Sequence, residues 1–483
     1  MNKLISVVKG FWSLLVGIWV TTKNFFRKPI TVQYPWDKPE PFTGFRGLPQ
    51  INDYFTQDKL AEKPSRLKIA PDPACKIACP ADTDVRGYLM AIADGNYKEG
   101  VKILKETYPF SASLGRVCPA FCEGKCHSNW AQSKPLAIRQ LKRFLSDYDS
   151  KLPESERVPF LEQKPQARMG KIAIIGAGPA GLTCAWELAK AGFSPTVFEK
   201  QDKPGGYLMY GIPTYRLPKD VLDEEVKDIL KLGVELKTNS QLGKDFTLED
   251  LTKQGYQAIF LAYGALTPMK LGIPGEHLDG VVPGEDFLEK VIKGEYKTSP
   301  KRAVVIGGGN TAIDCARTLK RMGCESAIFY RRTRHEMPAN HEEVDDAYEE
   351  GVFFDYLVLP NKIVEENGKV KGLECIRTKL GDKDASGRRK PVTIPGSEFI
   401  YECDLIIPAI SRSADTSFIS EQIKKTKWGS VEVNENTQET SLKGIYAGGD
   451  LTLGPATVVE AIACGKRAAK GIIQQLEAKS GTN

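Results

Sequence analysis

The sequence is short of what several common protein classes need. It has only four histidines (His127, His277, His335, His341), and they are dispersed, which argues against a histidine-rich metal site. No cysteine precedes Cys75. An odd total of eleven, five of them between Cys75 and Cys126, points to a reducing compartment and a metal site instead of a disulfide framework. No dense basic stripe is present and the net charge of +6 over 483 residues is mild, so nucleic acid is not an expected partner. Long apolar runs are also missing. The longest, residues 4–20 (LISVVKGFWSLLVGIWV), is interrupted by Lys9 and sits at the short limit of the roughly 20 residues a spanning helix needs. No small-x-small cleavage pattern follows it.

That first run is best read as an interfacial or partner-docked helix, with a short span or a signal peptide as alternatives. Trp12, Trp19, Phe25 and Phe26 are residue types that favour an interface, and Lys23, Arg27 and Lys28 can meet anionic headgroups. Prolines and glycines from Pro29 to about Pro73 predict an extended arm. Residues 83–150 read as helical, with apolar positions at helical spacing in DVRGYLMAIADGNYKEGVKILKET and LAIRQLKRFLSDY. A polar, proline-containing linker, KLPESERVPFLEQKPQARMG, comes next. Beyond it, strand-like runs (KIAIIG, PTVFE, AIFLAYG, RAVVIG, AIFY, LIIPAI, GIYAGGD) alternate with helical ones, the pattern of an α/β protein with parallel sheets. A hydrophobic content of 41% and the length suggest two to four domains with sizeable cores.

The clustered cysteines fall in CKIACP (Cys75, Cys79) and GRVCPAFCEGKCH (Cys118, Cys122, Cys126). Thiolates are soft ligands that suit iron–sulfur clusters or zinc. The three-residue gaps fit zinc pairs weakly. Iron–sulfur is the first reading, with zinc or inert cysteines as alternatives.

KIAIIGAGPAGLTCAWELAKAGFSPTVFEK is a complete dinucleotide fingerprint. A strand enters Gly176-x-Gly178-x-x-Gly181, a helix comes after it, and a second strand ends at Glu199. Gly176 permits the tight turn, Gly178 lets a pyrophosphate approach the helix N-terminus, and Gly181 lets helix and strand pack closely. Glu199 can accept from ribose hydroxyls. A second copy, RAVVIGGGNTAIDCARTLKRMGCESAIFYRRTRHEMPA, carries Gly307-x-Gly309-x-x-Ala312 and ends its second strand at Tyr330, Arg331 and Arg332. Arginines at that position favour a 2′-phosphate, so the second site reads as one for NADPH, unless they belong to a solvated turn. Two fingerprints imply two dinucleotides, commonly FAD and NAD(P)H. Near the C-terminus, Gly448, Gly449 and Asp450 precede a helix starting near Ala456. Asp450 would lie near the ribityl chain, and the helix N-terminus would face the isoalloxazine carbonyl. No C-x-x-C or C-x4-C lies beside the flavin motifs, which argues against disulfide reductase chemistry.

From about residue 70 onward the chain resembles the small (beta) subunit of glutamate synthase and its relatives. The matching stretches are ACP (78–80), GRVCPAFCEGKC, GAGPAGL, GGYLMYGIPTYRLPK (205–219), IGGGNTAIDCA, YRRTRHEMPA and AGGD. The resemblance implies FAD on Gly176, Gly178, Pro179, Ala180, Gly181, Glu199, Gly206, Gly449, Asp450, Thr457 and Val458. It implies NADP(H), or NAD(H), on Gly307, Gly309, Asn310, Thr311, Ala312, Arg331 and Arg332, and iron–sulfur chemistry on Cys75, Cys79, Cys118, Cys122 and Cys126. Five cysteines cannot fill two four-cysteine sites, so one 4Fe-4S cluster is expected, a second being left open. Lys142 stands about where some relatives place a Glu or Gln ligand, and the family's AIGQ reads AISRS here (Ala409 to Ser413). Hydride transfer needs no side-chain acid or base. Glu336 is the one candidate for orienting the nicotinamide.

The stretch GIWVTTKNFFRKPITVQYP, with FRG further on, resembles the head of the ferredoxin-like chain I of respiratory complex I, which lies on the membrane surface. The expected architecture is α/β: two Rossmann-like domains, for FAD and NAD(P), preceded by an α-helical iron–sulfur domain and an N-terminal amphipathic docking arm. The expected boundaries are 1–48 for the arm, 49–166 for the helical domain, 167–265 with 410–480 for FAD, and 266–409 for NAD(P)H. The expected partners are other subunits of an electron-transfer complex and, through residues 1–47, a membrane surface or membrane subunit on the cytoplasmic side. A cytoplasmic glutamate synthase beta subunit feeding an alpha subunit, or a ferredoxin:NAD(P) oxidoreductase subunit, is the alternative.

Overall fold

The computed structural model describes Trp19 and residues 72–480, apart from 130–133, 164, 299 and 385–386. The chain divides into two compact units, Met1–Asp72 and Pro73–Asn483. The expected docking arm lies outside the described residues except for Trp19, which is helical and exposed. Among the described residues no helix is long and apolar enough to cross a membrane.

The second unit begins with short helices: α1 (Ala74–Ile77), α2 (Val85–Ala93), α3 (Tyr97–Thr107), α4 (Ser111–Val117), α5 (Phe121–Gly124) and α6 (Ile138–Lys151). Side-chain caps start two of them: Asp84 accepts from the Gly87 amide and Asn96 from the Glu99 amide. Tyr88, Leu104, Leu114 and Leu145 are fully buried, each contributing roughly 1.5–3 kcal/mol by burial. Their core is continuous with that of the first dinucleotide domain, including Ile172, Leu182, Trp186 and Ile462. The helical segment is therefore built onto its neighbour.

That neighbour contains β1 (Lys171–Ile175), α7 (Pro179–Lys190), β2 (Thr196–Phe198), α8 (Tyr207–Tyr210), α9 (Lys219–Leu230), β3 (Glu235–Lys237), α10 (Leu248–Lys253) and β4 (Tyr256–Leu261). After β5 (Thr267–Pro268), the next domain holds α11 (Gly284–Ile292), β6 (Arg302–Ile306), α12 (Asn310–Arg321), β7 (Glu325–Tyr330), α13 (His341–Glu349) and β8 (Phe353–Tyr356). It continues through β9 (Val358–Glu366), β10 (Lys369–Lys383), β11 (Arg389–Glu402) and β12 (Leu405–Pro408). The chain then returns by β13 (Arg412–Ser413), β14 (Ile445–Ala447), α14 (Asp450–Leu453) and α15 (Val458–Ser480).

The first sheet has the order β14-β4-β1-β2-β3 and the second β12-β6-β7-β8, and every pairing in both is parallel. Strands buried on both faces explain the near-continuous apolar runs IAII and AVVI. A three-stranded antiparallel sheet, β11-β10-β9, is attached to the second domain, and β13 pairs with β5 as a short antiparallel ribbon between the two domains. From α15, Lys466 Nζ donates to the Ala81 and Thr107 carbonyls at 3.2 and 3.0 Å, fastening the C-terminal helix to the helical segment.

Candidate functional site: two dinucleotide folds and a cysteine cavity

At the C-terminal edge of the first sheet, one cavity is lined by Gly176, Gly178, Pro179, Ala180, Glu199, Gly206, Gly449, Asp450, Thr457 and Val458. These expected FAD residues come from five separated stretches of chain. Gly176 has φ +105°, and a Cβ there would stand 2.5 Å from the Ala262 carbonyl oxygen, so the turn into α7 requires glycine. Gly178 is the N-cap of α7 and Pro179 occupies the first turn, leaving the first amides of the helix facing the cavity. Gly181 lies behind the turn, buried in α7. Glu199 is buried and accepts from the Ala177 amide at 2.7 Å and the Gln201 amide at 2.9 Å. Burial raises its carboxyl pKa, and those backbone donors oppose the rise. Asp450 accepts from the Ala456 amide at 3.2 Å, and burial pushes its carboxyl up to about 6. Thr457 caps the first turn of α15 by accepting from, and donating to, Glu460.

The second fold repeats the arrangement. Gly307 has φ +155° and Gly309 is the N-cap of α12 with nothing within 4 Å of an added Cβ. Ala312 packs in the core; Asn310 Oδ1 accepts from the Asn340 amide at 2.9 Å. The two arginines part company. Arg331 is exposed and makes no side-chain hydrogen bond or ion pair among the described residues. Arg332 is 3% exposed, donates to the Arg389 carbonyl at 2.7 Å and pairs with Asp384 at 2.7 Å. Arg332, expected with Arg331 at the nucleotide, has its guanidinium held in the β10–β11 hairpin. Glu336 also departs from expectation. It closes a capping box with Thr333, taking the Thr333 amide at 3.1 Å, and it does not line the cavity.

Residues that sequence reasoning did not single out join the two folds. Tyr207 lines the cavity, and its hydroxyl lies 3.1 Å from Thr311 Oγ1, in the first turn of α12. Arg216 reaches Asp314 at 2.6 Å and Glu343 at 3.1 Å, all three largely buried. Arg412, from the AISRS stretch, reaches the cavity and pairs with Glu285 and Asp286 at the start of α11. Ser411 before it carries φ +132°, a backbone region that side chains disfavour.

The cysteines divide. Cys79, Cys118 and Cys122 line a small cavity with Tyr88, Tyr108, Ile138, Lys142 and Val459. Cys75 and Cys126 do not line it; Cys126 is instead the thiol that acts on Cys75. The expected five-cysteine set is thus three and two. The reason is local: α5 spans only four residues, so the four-residue spacing of Cys118, Cys122 and Cys126 does not become one helical face, and Ala120, at φ +54°, redirects the chain between the first two. Burial pushes the Cys122 thiol up to about 12. No three His, Cys, Asp or Glu side chains among the described residues converge as a single-ion cage. Thiols are soft donors of the kind that hold iron–sulfur clusters.

Two parallel dinucleotide sheets, with a cavity at the glycine turn of the first that Thr311 of the second also lines, define a pyridine-nucleotide oxidoreductase fold. Residues 170–465 match the pyridine nucleotide-disulphide oxidoreductase family and residues 46–153 match dihydropyrimidine dehydrogenase domain II, 4Fe-4S cluster. The chain is 34% identical over 448 residues to the glutamate synthase [NADPH] small chain of Escherichia coli K12, covering 89% of this chain and 94% of that one. It is 42% identical over 426 residues to the NADP(+)-dependent formate dehydrogenase subunit beta of Moorella thermoacetica, covering 83% of this chain but only 60% of that longer protein. In fold it is similar to Mycobacterium tuberculosis FprA in complex with NADPH (TM-score 0.56, 19% identity, 65% of this chain and 86% of that one). The chain belongs to the pyridine nucleotide-disulphide oxidoreductase family and, within it, to the group that includes the glutamate synthase small chain. It is an oxidoreductase that joins an FAD- and NADP(H)-binding domain to a 4Fe-4S domain.

Proposed function

We propose that this chain is an electron-transfer subunit that moves electrons between NADPH and a partner protein by way of FAD and an iron–sulfur cluster. When bound, the nicotinamide supplies a hydride, the flavin accepts the pair, and the cluster carries electrons singly. The observation that carries the reading is a pair of neighbours on α15: Val458 lines the dinucleotide cavity and Val459 lines the cysteine cavity. The two cavities thus meet the same turn of α15. On the other side, Tyr207 and Thr311 place the start of the second dinucleotide helix against the flavin cavity.

In this reading the backbone amides of α7 and α12 hold the two pyrophosphates, Arg331 takes the 2′-phosphate, and the N-terminus of α15 faces the flavin ring. Residues 1–47 dock the subunit on a membrane surface or a membrane-associated partner. A second reading, a glutamate synthase small subunit feeding a large one, is favoured by the near end-to-end match to the E. coli small chain. Anaerobic mixing with NADPH should bleach the flavin absorbance and then reduce the cluster; flavin untouched by NADPH and NADH overturns the proposal. Deleting residues 1–30 should release the chain from membranes, whereas glutamate formation on adding a glutamate synthase large chain would favour the second reading.

A further inference from the structure

The helix that delivers Cys118 is not capped by its own sequence. α4 opens at Phe110, whose side chain makes no capping hydrogen bond, and closes at Cys118, whose amide donates to the Leu114 carbonyl at 3.1 Å. The first amides of a helix have no partner within it. Here they are met from another domain. Glu225, on α9 of the first dinucleotide fold, accepts from the Ala112 amide at 2.6 Å, from the Ser113 amide at 3.2 Å and from Ser113 Oγ at 2.5 Å. Glu225 and Ser113 are both buried, so parting them would leave polar groups on each side unpaired. The rest of α4 lies flush against α6: a Cβ on Gly115 would stand 2.7 Å from the Arg143 Cα, and Arg116 bridges the Ala112 carbonyl and Asp147. α9 is fastened at its other end as well. Lys219, its first residue, donates to the Leu208 and Ile212 carbonyls at 2.7 and 2.6 Å. Those carbonyls lie in and just after α8, whose Tyr207 and Tyr210 line the dinucleotide cavity. Lys219 and Glu225 are about 9 Å apart along one helix axis.

Resting on the iron–sulfur reading above, we propose that α9 is the strut that sets the reach from flavin to cluster, with Glu225 as its positioning residue on the cluster side. Glu225 lines neither cavity; it acts through the backbone of α4 on Cys118, which does line the cysteine cavity. One end of the strut holds a wall of the dinucleotide cavity, and the other holds the helix that ends at this thiol. A shift at the Glu225 contact therefore moves the cluster relative to the flavin and leaves the flavin's own glycine turn undisturbed.

The test uses the full chain purified without oxygen. Flavin content is the control for folding, and the speed of flavin bleaching by NADPH is the control for the first step. Glu225→Gln keeps the length of the side chain but exchanges one acceptor oxygen for a donor. It should keep its flavin and its bleaching, while the EPR spectrum of the reduced cluster shifts and reduction of the cluster by NADPH slows severalfold. Glu225→Ala should do the same more strongly, and Glu225→Asp, which keeps both acceptor oxygens, less. Glu224→Gln, exposed on the same helix, should match the wild type. A native EPR spectrum and native rates in Glu225→Gln and Glu225→Ala, whatever their Tm, overturn the positioning role and leave the iron–sulfur reading standing. Flavin lost in step with iron in Glu225→Gln overturns it too, since that marks a contact that only holds the fold. Wild-type chain with full flavin and no iron overturns both.

Discussion

The two dinucleotide folds in this chain are copies with opposite endings. In the first, the second strand ends at Glu199, which turns back to hold the Ala177 amide of its own glycine turn. In the second, the same place holds Arg331 and Arg332, and Arg332 turns away to hold Asp384 in the β10–β11 hairpin. The helices differ one layer deeper. Aligned on their glycines, Thr183 of α7 corresponds to Asp314 of α12. Thr183 is fully buried and its hydroxyl has no partner among the described residues, whereas Asp314 is buried and reaches across to Arg216 of the first domain. The glycine turn is thus the part that both copies keep. The residues downstream of it are free to serve the turn itself, a neighbouring hairpin or the joint between domains.

The turns give the sharpest way to separate the copies. A Cβ at Gly307 would stand 2.3 Å from the Ala409 carbonyl oxygen, as one at Gly176 would from that of Ala262. Gly176→Val should therefore yield protein without flavin. Gly307→Val should keep its flavin yet lose NADPH binding, read as flavin that NADPH no longer bleaches while dithionite still does. Flavin loss in both, or in neither, would mean that the copies do not act as independent nucleotide sites.

How much of this could be read before the fold was known differs in the same way. The glycine turns, Glu199 and the strands built on local apolar runs were legible because their determinants lie within a few residues. The seven strand-like runs correspond to β1, β2, β4, β6, β7, β12 and β14. The antiparallel sheet β9–β11 was not legible, since one face of β11 is largely exposed and its alternation is broken by Pro391 and Pro395. Arg332 could not be told from Arg331, because its partner Asp384 lies 52 residues away. The split of the cysteines depends on a short helix and one left-handed residue, neither of which spacing alone discloses. Glu336 is different: Thr333 three positions earlier is a capping-box signature, so its structural role was open to reading.

The arginine pair should therefore divide by measurement. Arg331→Ala is expected to weaken NADPH binding about ten- to hundredfold, the ~1.5–3 kcal/mol of a hydrogen bond to a charged group, and to leave NADH binding unchanged. Arg332→Ala instead removes a buried guanidinium that ties Asp384 and the Arg389 carbonyl together. It should lower stability by of order 3 kcal/mol, seen as a fall in Tm with much the same discrimination between NADPH and NADH. If Arg332→Ala alone abolishes the preference for NADPH, the assignment of the two arginines is reversed.

The smallest expected effect lies at the domain joint. Asp314→Thr copies the first fold's residue into the second. Arg216 would keep Glu343 at 3.1 Å, so the joint should loosen without unfolding. The pH dependence distinguishes this from simple loss of a contact. Burial raises the Asp314 carboxyl to about 6, against the lowering effect of Arg216. A carboxyl raised on folding binds its proton more tightly in the folded chain. Its favourable contribution is therefore complete below the unfolded pKa, near 4, and is lost as the pH rises through about 6. Between pH 5 and 7.5 the wild type should lose about 1 kcal/mol relative to Asp314→Thr, so that the destabilisation caused by the substitution shrinks as the pH rises. Denaturant midpoints of the two proteins across that range measure it. A difference that stays flat or widens would mean that Asp314 is ionised throughout and that Arg216 outweighs burial at the joint.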